Sequence, residues 1–155
     1  GMTVVLNPSP FDGHMANCDL TKVDLFFINE VEGEQMTGKK DAADICACMR
    51  KLYPGSETVL TLGEEGALWW NSTENIFQKA VPAKAVDTTA AGDTFTGYFL
   101  AAVMEGRSRK EALKRAATAA SMSVEKQGAS SSIPWSLLRW KRRLRTRVWR
   151  SISLS

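Results

Sequence analysis

Little in this chain suits thiolate-held metals or redox chemistry. It has three cysteines and one histidine in 155 residues. Cys18, Cys46 and Cys48 are odd in number and lack the spacing of a disulfide framework or a zinc site. Cys46 and Cys48 stand two apart in a helical pattern, so they point to different faces. Reduced, structural thiols are expected, and with them a cytoplasmic compartment. No apolar run approaches the roughly 20 residues that span a bilayer, and no secretory signal is visible at the start. Acidic residues are missing from one region only. Of the 20 basic residues, seven fall in 136–155, where there is no Asp or Glu; the thirteen others face all 17 acids, giving residues 1–135 a net charge of −4. A mildly acidic body thus carries a basic tail, and only the tail raises the question of nucleic acid or membrane surfaces.

Hydrophobic residues make up 44% of the chain and are spread along it, enough for the core of one ordinary domain. Val4 to Leu6, Asp24 to Ile28 and Thr58 to Leu62 read as buried strands. Ala67 to Asn71 and Ile76 to Ala80 add two more after the Gly63-Glu64-Glu65-Gly66 turn. Between them lie a short helical stretch from Glu30 to Met36, stopped by Gly38, and a helix capped by Asp41 that runs to Leu52 before Pro54-Gly55. Helices are predicted from Ala91 to Met104 and, after Ser108, to Val124. Continuous apolar strands alternating with helices indicate an α/β fold with a mostly parallel sheet covered on both faces. Ligands of such sheets sit at strand carboxyl ends. The polar signatures fall there: Asn29, Thr61 to Gly63, and the loop before Ala91.

That loop, Val86 to Phe95, puts small residues at a helix start. Free amides and the helix dipole favour an anion there, and small side chains let a phosphate approach. Asp93, in the first turn, is placed to act as a general base toward a hydroxyl attacking a phosphoryl group. The competing reading makes Asp93 a favourable helix-start acid and nothing more.

The run Asp87-Thr88-Thr89-Ala90-Ala91-Gly92-Asp93-Thr94-Phe95 is similar to the signature of the ribokinase-like (PfkB) carbohydrate kinase family. Asn29-Glu30-Val31-Glu32, Thr61-Leu62-Gly63-Glu64-Glu65-Gly66-Ala67 and Gly128 to Trp135 resemble further family elements in the same order, and Asn7-Pro8 fits a strand end. The resemblance covers residues 3 to about 135. It implies the C-terminal, nucleotide-binding portion of a three-layer α/β/α sandwich over 1–135, with residues 136–155 as a tail unlike the family.

It also implies ATP-dependent phosphorylation of a sugar's primary hydroxyl, ribose being the expected substrate, with Asp93 as base. By the same resemblance the amides of Ala91, Gly92 and Asp93 form an anion hole, and Asn29, Thr61 and Gly63 contact nucleotide. Glu32 positions Mg²⁺, largely through water. Asp87, Thr89, Ser123, Lys126, Gly128 and Ser132 surround a monovalent cation, K⁺. Ala117 stands where the family often has Asn or His near the adenine, so more apolar base contacts are expected.

The family's N-terminal region, β lid and Gly-Gly sugar motif are expected to be missing, leaving this chain alone without appreciable turnover and prone to self-association. Two other readings stay open. One is a non-catalytic nucleotide- or partner-binding pseudoenzyme. The other is an interaction protein acting through the tail, in which Leu137, Leu138, Trp140, Leu144 and Val148 line a basic amphipathic helix suited to anionic membrane or nucleic acid. A tail with no role is the plain alternative.

Overall fold

In the computed structural model, which describes residues 2–9, 11–12 and 15–125, five strands lie side by side in chain order. They are β1 (Val5–Leu6), β2 (Leu25–Asn29), β3 (Glu57–Thr61), β4 (Gly66–Trp70) and β5 (Asn75–Lys79). β1, β2 and β3 pair in parallel, while β3 with β4 and β4 with β5 pair antiparallel. Four strands therefore share one direction and β4 alone opposes them. The helices among the described residues are α1 (Glu30–Thr37), α2 (Ala42–Leu52), α3 (Ala91–Met104) and α4 (Arg109–Val124). Two short 3-10 turns, Met15–Asn17 and Leu20–Lys22, precede β2.

The pleat sends successive side chains to opposite faces, and both faces are covered. Leu25, Phe27, Val59 and Trp69 pack with Phe95, Phe99 and Leu113 of α3 and α4. Their neighbours Phe26, Ile28, Leu60 and Trp70 pack with Ile45 and Met49 of α2. Phe27 meets Phe99 edge-on at 5.4 Å, and Phe26 lies 4.8 Å from Tyr53 on the other side. This three-layer α/β/α arrangement explains why β2 is apolar at consecutive positions rather than at alternate ones. Each large side chain so buried contributes about 1.5–3 kcal/mol.

The β3–β4 connection is a tight reversal. Leu62 N–H donates to Gly66 O at 2.8 Å and Glu65 N–H to Leu62 O at 2.9 Å. Gly66 sits at φ 136°, where a Cβ would lie 2.1 Å from the Gln78 carbonyl oxygen. Only glycine fits this approach of β5 to β4. At the amino end of β3, Glu57 accepts the fork of Arg109 at 2.6 and 2.7 Å and the Trp69 indole N–H at 2.9 Å. Burial pushes the Glu57 carboxyl up, but these donors outweigh it and hold it below the ordinary value of 4.5. The contact ties the first turn of α4 to the sheet at the edge away from the strand carboxyl ends.

Candidate functional site

At the opposite edge, Asn29 ends β2 and Thr61 ends β3, paired across the parallel ladder. Asn29 and Glu32 close a reciprocal cap on α1. Asn29 Oδ1 accepts the Glu32 amide and Glu32 Oε2 accepts the Asn29 amide, both at 2.9 Å. Glu32 is buried, which a solvated helix acid would not be. Thr61 Oγ1 reaches Ile28 O only at 3.5 Å, a marginal hydrogen bond. Gly63, at φ 52°, turns the chain away from β3.

The loop before α3 is anchored from behind. Val86 and Asp87 donate their amides to the single carbonyl of Val124, at 2.7 and 3.1 Å, where α4 ends. Asp87 Oδ1 then accepts the Thr89 amide at 2.9 Å and its hydroxyl at 2.6 Å, an Asx turn that fixes the approach to the helix. Ala91 N–H donates back to Thr88 O at 3.1 Å. Of the three amides expected to receive an anion, that of Ala91 is thus engaged in the turn. Those of Gly92 and Asp93 meet no acceptor among the described residues, and α3 has no side-chain cap. Gly92 and Asp93 are exposed. A Cβ built on Gly92 would meet nothing within 4 Å. Ser123 is buried beside this corner, and its hydroxyl returns to Ala120 O at 2.8 Å. Lys126, Gly128, Ser132 and the tail 136–155 lie outside the described residues.

A cavity of about 520 Å³ opens between the β3–β4 turn and the α3–α4 pair. Gly63 and Gly66 form one wall; Thr88, Ala91 and Phe95 reach it from the loop and α3; Ala117, Ala120, Ser121 and Val124 supply the α4 wall. Gly63, Ala91 and Ala117 are therefore brought to one cavity. Asn29, Glu32, Thr61, Asp87 and Asp93 are not among its described lining. The α4 wall, apart from Ala117, went unread in the sequence. Its i, i+3, i+4, i+7 spacing is visible there, but small residues so spaced equally describe a helix packed into a core.

The described residues hold no group of three or more His, Cys, Asp or Glu placed for a metal. A single carboxylate such as Glu32 suits a hard divalent cation that keeps most of its waters.

Open amides at a helix start, beside a cavity beyond the carboxyl ends of parallel strands, are the hallmark of α/β proteins that take phosphorylated ligands. Comparison narrows this class: the model of the pfkB family of carbohydrate kinases matches residues 1–136. The chain belongs to that family. It is 39% identical to a ribokinase of Haemophilus influenzae over 138 residues, 86% of this chain and 45% of that protein. It is 36% identical to a deoxyribokinase of Salmonella typhi over the same shares of the two chains. The structure of Arabidopsis thaliana ribokinase complexed with ribose and ATP superposes with a TM-score of 0.75 at 32% identity, covering 89% of this chain and 48% of that one. The chain spans a little under half the length of these relatives.

Proposed function

We propose that this chain is the nucleotide-binding and base-bearing part of an ATP-dependent sugar kinase acting on ribose or a close analogue. The observation that carries the reading is the pair of unengaged amides at Gly92 and Asp93, with the Asp93 carboxylate in the same turn and the cavity beside Ala91. In the proposed reaction the Asp93 carboxylate takes the proton of the sugar's primary hydroxyl. The oxygen attacks the γ-phosphorus, and the bond from phosphorus to the bridging oxygen of ADP breaks. Charge on the moving phosphoryl group is met by the two amides and the dipole of α3.

Gly63, with Thr61 and Asn29 at the strand ends behind it, is assigned to the nucleotide side. Glu32 would position Mg²⁺ through water, and Mg²⁺ when bound neutralises phosphate oxygens. Asp87, Thr89 and Ser123 are assigned to K⁺, with Lys126, Gly128 and Ser132. Exposed Asp93 is open to water, so transfer to a sugar needs a cover over it. Turnover by these 155 residues alone is therefore expected to lie below detection. A cytoplasmic setting and self-association belong to the same proposal. The edge strands favour the latter, with Val5 37% and Phe77 55% exposed.

Calorimetry with the β,γ-imido analogue of ATP, in Mg²⁺ and K⁺, tests the reading. The chain is expected to bind it, and Asp93→Asn to bind within about threefold of wild type, since a base contributes to proton transfer rather than to holding nucleotide. In a protein of the relatives' full length built around these residues, the same substitution should abolish ribose-dependent ADP release. No binding by the unaltered chain, or full turnover by the Asp93→Asn enzyme, sinks it.

A further inference from the structure

Thr94 is 4% exposed, and its hydroxyl finds no hydrogen-bond partner among the described residues. Burying a hydroxyl without a partner is unfavourable. The helices here have an easy remedy, which they use elsewhere. Thr37 returns its hydroxyl to Gly33 O at 2.6 Å, Thr118 to Lys114 O at 2.9 Å, Ser121 to Thr118 O at 2.8 Å and Ser123 to Ala120 O at 2.8 Å. Thr94 does not: the Ala90 carbonyl takes its backbone N–H at 2.9 Å and not its hydroxyl.

Its position says where the missing partner belongs. Viewed down α3, at about 100° per residue, Thr94 falls about 60° from Ala91 on the side toward Asp93. It thus lies between the residue that lines the cavity and the residue that faces solvent. Helical side chains lean back over the turn N-terminal to their own Cα. That turn holds the open amides of Gly92 and Asp93. A buried donor without a partner and two amides without acceptors therefore share one turn.

We propose that the Thr94 hydroxyl is a third donor to the phosphoryl group at the start of α3, a binding and positioning contact beside the backbone amides. The inference rests on the kinase reading above and deepens it. It assigns a side chain to anion recognition, and it makes the free protein carry an unsatisfied group that the ligand satisfies.

Thr94→Val removes the hydroxyl and keeps the shape; Thr94→Ser keeps the hydroxyl. Affinities of wild type and both variants are measured for the β,γ-imido ATP analogue with Mg²⁺, for ADP and for adenosine, alongside thermal melting without ligand. Thr94→Val is expected to weaken the triphosphate analogue about tenfold, the loss of one hydrogen bond to a charged group. ADP should weaken less and adenosine not at all. Thr94→Ser should restore the analogue, and the ligand-free melting temperature of Thr94→Val should equal or exceed that of wild type. Equal losses for adenosine, no loss for the analogue, or a clear fall in the ligand-free melting temperature would each overturn the proposal. The last outcome would mark the hydroxyl as a structural group with a buried water. Failure of wild type to bind any of the three ligands takes down the kinase reading itself, a result separate from any effect of residue 94.

Discussion

Four α-helices start among the described residues, and three of the starts are closed by a side chain. Asn29 and Glu32 cap α1 reciprocally, Asp41 Oδ1 accepts two amides of α2, and Ser108 with Glu111 repeats the reciprocal cap on α4. Of these four, α3 alone begins without a side-chain acceptor. The backbone differs as well as the side chain. The caps of α1, α2 and α4 are extended, with ψ of −178°, 135° and 156°, whereas Ala90 has φ −100° and ψ 4°. An extended cap aims its side chain at the first-turn amides. Ala90 occupies the sparsely populated bridge region where active-site residues recur. The contrast is between starts satisfied by the chain's own side chains and one whose Gly92 and Asp93 amides meet no acceptor among the described residues.

The contrast is broken most severely at Gly92. Nothing stands within 4 Å of a Cβ there, so the fold has room for Gly92→Glu. Replacing a helical glycine gains about 0.5–1 kcal/mol, and a carboxylate in the first turn adds a few tenths. The same carboxylate occupies and charges the space assigned to phosphate. The melting temperature is expected to hold or rise while affinity for the imido-ATP analogue falls on the order of a hundredfold, from obstruction of the amides and the added charge repulsion. Unchanged affinity by calorimetry would show that the amides at the start of α3 receive no phosphate.

The closed starts were legible for a reason local to the chain. Asp41 and Ser108 precede apolar periodicity, Gly38 follows it, and a cap needs only residues within one turn. The pleated runs of β2 and β3 likewise fixed the layers, because burial on both faces leaves no polar alternation. The boundaries moved by a single residue: β3 begins at Glu57, and Leu62 belongs to the turn. Asn29 and Glu32 show where local reading divides. An Asn-x-x-Glu pattern is both a family motif and a capping box, and only the structure displays the hydrogen bonds of the second. The unpartnered Thr94 hydroxyl could not be read from the sequence, and the α4 wall beyond Ala117 showed only a spacing that a core helix shares. Both depend on what packs against a helix from far along the chain. The two 3-10 turns before β2 lacked the apolar repeat that would have announced them.

A smaller effect, on stability alone, sharpens the comparison from the other end of the sheet. Glu57, with Arg109 and Trp69, holds α4 far from the strand carboxyl ends. Glu57→Gln should cost about 2 kcal/mol by leaving a half-buried guanidinium without its counter-charge, and affinity for the imido-ATP analogue should stay within twofold. The pH dependence follows from the lowered carboxyl. A group whose folded pKa is depressed stabilises above its unfolded value, and that stability is lost as pH falls through the folded one. Wild type should therefore lose stability below about pH 4.5, and Glu57→Gln should lose less over the same range. Parallel denaturation curves for the two proteins from pH 6 to pH 3 would remove Glu57 as the cause.

The smallest expected change comes from trying to close the open start. Serine in place of alanine at a helix N-cap ordinarily stabilises by about 1 kcal/mol. Ala90→Ser should not, because at ψ 4° the side chain does not face the amides of Gly92 and Asp93. The site is also 8% exposed, so the added hydroxyl would be buried. A neutral result, or a loss of up to about 1 kcal/mol, is expected in thermal melts, with nucleotide affinity little altered. A gain of the usual size, accompanied by weaker binding of the imido-ATP analogue, would mean that the backbone at Ala90 relaxes to the extended form and seals α3. The open start would then be a matter of one missing hydroxyl and not of a loop geometry imposed by the Val124 carbonyl and the Asp87 turn.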